Sequence, residues 1–304
     1  MTDATVSEQM FQPEEKDPLT RVALLVEYCG TYFHGSQFQP NVPTVQSALQ
    51  EALVRLNLNA SAVSCAGRTD AGVHAVGQVA HFDVAESALS NIPDLPSALN
   101  AVLSDDVAVR SANLNVGRTF HSRRDSVAKW YRYKIYNSRH RSAWASQDAA
   151  CQHRPALDAD LMNQSAALLL GEHEFTSFKD FGSAVVSDIC QIYHTKVVRD
   201  GDFIILDVAA NRFLYKMVRN IVGQLMLIGN ANAPHPPEAI LQVLAERDRR
   251  KAARSASPEG LTLMAVRYKS PFNLFEKDVY VQQFKNILKS MESLQNENLF
   301  RKAS

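Results

Sequence analysis

No stretch of this sequence stays apolar for long. The nearest to a continuous run, IVGQLMLIG at 221–229, falls far short of the ~20 residues a bilayer-crossing helix needs, so no membrane span is expected. Cysteine is scarce and scattered. Cys29, Cys65, Cys151 and Cys190 make no CxxC pair, which indicates neither a zinc site nor a disulfide framework and suits a reducing, cytoplasmic setting. Charge of either sign is not in excess, because 32 Lys and Arg balance 32 Asp and Glu. That balance argues against a protein that coats nucleic acid indiscriminately. The opening MTDATVSEQMFQPEEKDP lacks a basic start followed by an apolar run, so residues 1–20 read as an acidic, mobile tail rather than a secretory leader.

What remains is a globular composition. Hydrophobic residues are 46% and charged residues 21% of 304, enough for two ordinary domains or one large one. The charge is unevenly placed. Arg118, Arg123, Arg124, Lys129, Arg132, Lys134, Arg139 and Arg141 accompany one acid, Asp125, and RDRRKAAR at 247–254 is a second basic concentration. Such patches on a neutral protein suit a specific, salt-sensitive contact with a polyanion, although solvated faces explain either one alone.

The pattern of elements is α+β. RVALLVEY (21–28) reads as a strand and TVQSALQEALVRLN (44–57) as a helix capped by Thr44. AVSCA and VGQVAHFDV are two further strands. A helix over 95–103 and a strand over 106–115 complete a first half. The second half begins with the strand SVAKWYRYKIYN (126–137) and a helix over 158–172, with Asp158 as cap and Gly171 as stop. It continues with a hairpin turning at Asp200–Gly201, a long helix over 211–229, a shorter one near 237–247 and a last strand, LTLMAVRY (261–268). Residues 279–300 form an amphipathic, helical pattern. The division expected is 1–20 as tail, 21–117 and 118–270 as two α+β domains, and 271–304 as a C-terminal helical extension.

Two features invite chemistry. CAGRTDAGVHA at 65–75 sets Arg68 and Asp70 between glycines in a tight turn, where charged groups are costly to bury unless paired. A surface turn is the plainer reading of that stretch alone. On the long helix, Arg212, Lys216 and Arg219 fall at i, i+4 and i+7, on one face. No acid lies between Asn211 and Asn232, so a half-buried Arg219 needs a carboxylate from elsewhere, and Asp70 is the candidate.

These pieces together resemble the tRNA pseudouridine synthase A family over most of residues 21–268. CAGRTDAGVHAVGQVAHF resembles its catalytic motif, with Asp70 in the nucleophile position. AKWYRYKIYN is similar to its aromatic motif, with Tyr131 as the ring that stacks on the target uracil. NRFLYKMVRNIVG matches its third motif, in which Arg219 pairs with the catalytic aspartate. EGLTLMAVRY resembles its closing strand, with Leu261 in the active site, and HEFTSF at 173–178 is also similar. One departure is Ser36 in HGSQ, where that loop often carries a large aromatic.

The resemblance implies a pseudouridine synthase fold: two ferredoxin- or RRM-like halves with mostly antiparallel sheets, joined across a central cleft. It implies isomerisation of uridine to pseudouridine at positions 38, 39 and 40 of the tRNA anticodon stem-loop, by a homodimer, without cofactor or metal. Substrate and product are isomers, so what the reaction requires is an ionised carboxylate near sugar and base. That carboxylate acts either by covalent addition or by drawing a proton from the ribose. Arg68 is implied in base flipping, and Arg123, Arg124, Lys129, Arg212 and Lys216 are expected along the RNA backbone. Two rival readings are a metal-dependent hydrolase built on Asp70, His74, His81 and Asp83, and an RNA-binding module without catalysis.

Overall fold

The structure, a computed structural model, describes residues 17–152, 155–182 and 187–289. The expected tail up to residue 16 and the helical pattern beyond 289 lie outside these. Strand β1 (Leu19–Tyr28) is an apolar run buried along nearly its whole length, as a central strand must be. Helix α1 (Val45–Arg55) follows. Val45, Leu49 and Leu53 form its buried side, and Thr44 and Ser47 cap each other's backbone N–H reciprocally. Each buried leucine of this kind contributes about 1.5–3 kcal/mol of apolar transfer. The expected strand AVSCA is only the bridge β2 (Ser64–Cys65) before β3 (His74–Ala85), because the residues after Cys65 leave the ladder to form the Asp70 loop. Short helices α2 (Glu86–Ser90) and α3 (Leu95–Asn100) lead to β4 (Val107–Asn113).

The second half opens with β5 (Ser126–Tyr136) and continues through β6 (Ala150–Cys151), α4 (Ala159–Ala167) and β7 (Gly171–Glu174). Asp158 caps α4 as expected, accepting from the Leu161 N–H at 2.9 Å. Gly171 opens β7 instead of stopping the helix. The hairpin β8 (Ile189–Asp200) and β9 (Phe203–Ala210) precedes α5 (Met217–Ile228), α6 (Ala239–Glu246) and β10 (Leu261–Tyr268). A final helix, α7, covers 279–289.

Among the described residues all ten strands share one sheet, ordered β4-β1-β3-β10-β5-β9-β8-β7, with β2 on β3 and β6 on β5. The pairing is mostly antiparallel. The halves meet where β10, last in the chain, pairs briefly in parallel with β3, Thr262 beside His74 and Leu263 beside Ala75. Along β5 the side chains alternate. Tyr131, Tyr133 and Ile135 enter the main core, while Ala128 and Trp130 join a smaller cluster with Val281 and Phe284 of α7 on the opposite face. The C-terminal extension therefore covers the sheet face turned away from Tyr131.

A further sequence expectation fails here. Residues 211–216 are not the start of α5. Asn211 accepts from the N–H groups of Gln191 and Arg212, and Lys216 takes a left-handed φ of 57° immediately before the helix. Arg212, Lys216 and Arg219 consequently do not share a helical face.

Candidate active site

Asp70 sits on the loop between β2 and β3, and the loop is held from several sides. The Thr69 N–H donates to Ser36 Oγ at 2.8 Å, and the Ser36 N–H donates back to the Thr69 carbonyl at 3.1 Å. Thr69 Oγ1 also meets the Tyr28 hydroxyl at 2.8 Å. Gln78 Nε2 donates to the Gly67 carbonyl at 3.0 Å, fixing the loop's entry. Gly72 turns the chain with φ +80°, and a Cβ there would lie 2.9 Å from Pro258 Cγ, so a side chain is excluded on both counts. Ser36, the departure from the family pattern, is thus fully buried and ties down the residue preceding Asp70.

Arg219 comes from the first turn of α5, and Nη1 donates to Asp70 Oδ2 at 2.8 Å across 149 residues of sequence. Its Nε donates to the Ala256 carbonyl at 2.8 Å, while the Ala256 N–H donates to the Arg219 carbonyl at 3.0 Å. The segment around Ala256 approaches α5 closely: a Cβ on Gly223 would lie 1.9 Å from the Arg254 carbonyl oxygen. A second ion cluster fastens the same segment. Arg249 donates to Asp180 Oδ1 at 2.7 Å and to Asn220 Oδ1 at 2.9 Å, and also binds the carbonyls of Ala252 and Ala253. Lys216 donates to Asp180 Oδ2 at 2.9 Å. Burial would raise the Asp180 carboxyl, but Lys216, Arg249 and the Asn220 amide, which donates to Oδ1 at 3.2 Å, together hold it below its ordinary range.

The Asp70–Arg219 pair is neither open nor sealed. Side-chain exposure is 23% for Asp70 and 13% for Arg219, so the carboxylate keeps a face toward solvent while the guanidinium is largely covered. Tyr131 lies beside it, 7% exposed, with the Phe213 ring edge-on at 5.0 Å and 87°. Burial, reinforced by the Tyr28 and Asp70 charges, pushes the Tyr131 phenol well above its ordinary pKa. Leu261 is buried opposite Tyr133, two register positions from the pairing of Leu263 with Tyr131, and the Tyr133 hydroxyl donates to the Ser257 carbonyl at 2.7 Å. Arg68 is exposed on the same loop as Asp70.

The basic residues sort into two kinds. Arg118, Arg123, Arg124, Arg139 and Arg141 are exposed. Others are engaged within the protein: Arg132 with Asp207, Lys134 with Asp148, Arg247 with Glu174, Arg249 with Asp180 and Arg250 with Asp248. Three of the five cations in the run at 247–254 are therefore paired, while Lys251 and Arg254 stay exposed. Arg212 and Lys216, expected along an RNA backbone, are likewise committed. Arg212 donates to the carbonyls of Ser187 and Ile189, and Lys216 to Asp180.

The four residues of the rival metal reading have separate partners. Asp83 takes a two-pronged grip from Arg21, His81 Nδ1 meets Ser122 Oγ at 2.8 Å, His74 Nδ1 accepts from the Gly30 N–H, and Asp70 holds Arg219. Among the described residues no group of three or more His, Cys, Asp or Glu side chains converges in metal-binding geometry. A cavity of about 470 Å³ lies elsewhere, lined by His74, Trp144, Glu27, Asp105, Asp106 and Asp148 among others. Of its four carboxylates Glu27 is paired with Arg110 and Asp148 with Lys134, and neither Asp70, Arg219 nor Tyr131 borders it.

Sequence reasoning missed the supports of the site. Tyr28 and Asp180 lie outside the quoted motifs, and Gln78, Phe213 and Asn220 lie within them without marking a role, because each acts on a partner that another segment of the chain supplies. The pairing of Asp70 with Arg219 was visible as an unmatched charge in α5.

The family model for tRNA pseudouridine synthase matches residues 24–123 and 165–269, which include Asp70, Arg219 and Leu261 but not Tyr131. A tRNA pseudouridine synthase A of Aliivibrio salmonicida is 41% identical over 254 residues, 84% of this chain and 95% of that protein. One of Histophilus somni is 42% identical over 254 residues, covering 84% and 92%. One of Escherichia coli is 40% identical over 261 residues, covering 86% and 94%. With most of both chains aligned and the Asp70 loop inside the matched region, the chain belongs to the tRNA pseudouridine synthase family.

Proposed function

We propose that this protein isomerises uridine to pseudouridine at positions 38, 39 and 40 in the anticodon stem-loop of tRNA, with Asp70 as the group that acts on the target nucleoside. The observation that carries the reading is the Asp70 carboxylate, tied to Arg219 at 2.8 Å, partly open to solvent and beside the Tyr131 ring. Arg219 aims the Asp70 carboxylate through that contact. The uracil must detach from the ribose nitrogen link, turn and rejoin through carbon, so the pocket has to confine a free base. Tyr131, Phe213 and Leu261 supply apolar walls for that confinement.

A uridine stacked in a stem is out of reach of Asp70 and has to be flipped, at a cost of a few kcal/mol. Arg68, exposed two residues before Asp70, is placed to fill the vacated stack. Exposed Arg123 and Arg124 then lie along the phosphates. Action at three neighbouring positions calls for recognition of backbone and shape rather than base identity, which suits these cations. The unit 21–117 brings Asp70 and 118–270 brings Arg219 and Tyr131, so the site forms between them. We read the working enzyme as a cytoplasmic homodimer whose two subunits share one tRNA. No described helix is long and apolar enough to cross a membrane.

The test is unmodified tRNA transcript incubated with the protein and mapped for pseudouridine. Product at positions 38 to 40, and none from Asp70→Asn while that variant still binds RNA, is the expected result. Full turnover by Asp70→Asn would remove Asp70 from its role. Pseudouridine confined to other positions would refute the anticodon assignment.

A further inference from the structure

Lys129 stands two residues before Tyr131 on β5, so both side chains leave the same face of the sheet. Its stem lies against the Asp70 loop: a Cβ on Gly67 would come within 3.3 Å of Lys129 Cε. The Nζ atom donates to Ser126 Oγ at 3.0 Å. Among the described residues no carboxylate comes within ion-pair distance of it. That sets it apart from Lys134, Lys179, Lys216, Arg219 and Arg249, partly buried cations that each hold an aspartate. An ammonium has three donors, and here the described protein supplies one neutral acceptor. A covered cation without a counter-charge is a costly arrangement unless an anion arrives to complete it.

We propose that the Lys129 ammonium binds a phosphodiester of the flipped nucleotide itself, anchoring the strand at the mouth of the Asp70 pocket rather than along the flanking stem. The inference rests on the RNA-modifying reading above. Arg123 is exposed and stands near enough to oppose the Lys129 charge. Without RNA, burial and the Arg123 guanidinium hold the Lys129 ammonium down at about 8. The other groups around it do not offset this. Its cross-strand neighbours Ala210 and Val266 are uncharged, the Cys65 and Tyr131 protons are held by burial, Asp70 is engaged with Arg219, and Arg68 is a further cation. A phosphate brought to Nζ favours the charged form, so binding near pH 8 takes up a proton.

The experiment measures binding of a stem-loop RNA against salt concentration for the wild type, Lys129→Met and Lys129→Arg. Methylphosphonate replaces, in turn, the phosphates on either side of the target uridine. Lys129→Met is expected to lower the slope of log K against log salt by about 0.7–0.9, the loss of one phosphate contact. Lys129→Arg is expected to keep the slope and to abolish the proton uptake seen calorimetrically near pH 8. One methylphosphonate should weaken the wild type about tenfold and leave Lys129→Met no weaker than it already is. An unchanged slope in Lys129→Met, or losses that add between the variant and every methylphosphonate, would overturn the proposal. Pseudouridine formation is scored separately. Its absence in the wild type refutes the enzymatic reading, while the salt slope still decides the role of Lys129.

Discussion

Replacing Arg219 by lysine keeps the positive charge and removes the geometry. Arginine reaches two acceptors at once, Asp70 Oδ2 from Nη1 and the Ala256 carbonyl from Nε, each at 2.8 Å. A lysine ammonium is one compact point on a flexible stem and serves one of the two. If it turns to Asp70, the Ala256 carbonyl loses its donor and the stem is unfixed. If it turns to Ala256, the carboxylate is left without its cation. Either way one hydrogen bond involving a charged group is lost, worth about 1.5–3 kcal/mol. At about 1.4 kcal/mol per factor of ten, the expected fall in kcat is about ten- to hundredfold. The substrate still docks on the exposed arginines, so KM for tRNA should stay within about twofold, the signature of an interaction needed in the transition state. The assay is pseudouridine formation at saturating and limiting tRNA, with circular dichroism to confirm folding. An Arg219→Lys enzyme with the wild-type kcat would refute the claim that the double anchor aims Asp70. So would a variant whose whole defect lies in KM.

For Tyr131, burial holds the hydroxyl protonated, and on the proposed reading it is the ring face that meets the uracil, so Tyr131→Phe should keep most of the activity. Tyr131→Ala should lose the ~1–3 kcal/mol of a base–aromatic stack. A phenylalanine variant as inactive as Asp70→Asn would show that the hydroxyl takes part. The third prediction concerns pH. Burial, with the positive fields of His121 and Arg21, holds the His81 imidazole down at about 4 against an ordinary 6.5. As pH falls the unfolded chain takes up this proton first, so the contribution is intact above about 6.5 and lost progressively toward about 4. Urea midpoints should fall across that window, and His81→Asn should lose part of the slope. His74, His121 and His194 are lowered in the same direction and keep the rest. Equal slopes in the two proteins would refute this.

The sequence by itself determined the principal strands and the family motifs. β1, β5, β9 and β10 were legible because buried, β-branched runs have few other places to go, and β10 was bounded to the residue. Asp70, Tyr131, Arg219 and Leu261 were legible as motif positions, and the need of Arg219 for a distant acid followed from the empty charge pattern of α5. Only the tertiary structure decided where α5 begins, because a left-handed Lys216 and the Asn211 side chain override a helical periodicity that runs on through 211–216. It alone decided which cations are free. Arg212, Lys216 and Arg249 look like exposed charge in the chain and are consumed by Ser187, Ile189 and Asp180, while Lys129 sits in a regular strand and has no counter-charge among the described residues. The reason is physical: periodicity reports which side of an element faces inward, and it says nothing about which partner waits there. Partners separated by 149 residues, as Asp70 and Arg219 are, meet only when ten strands have chosen their neighbours.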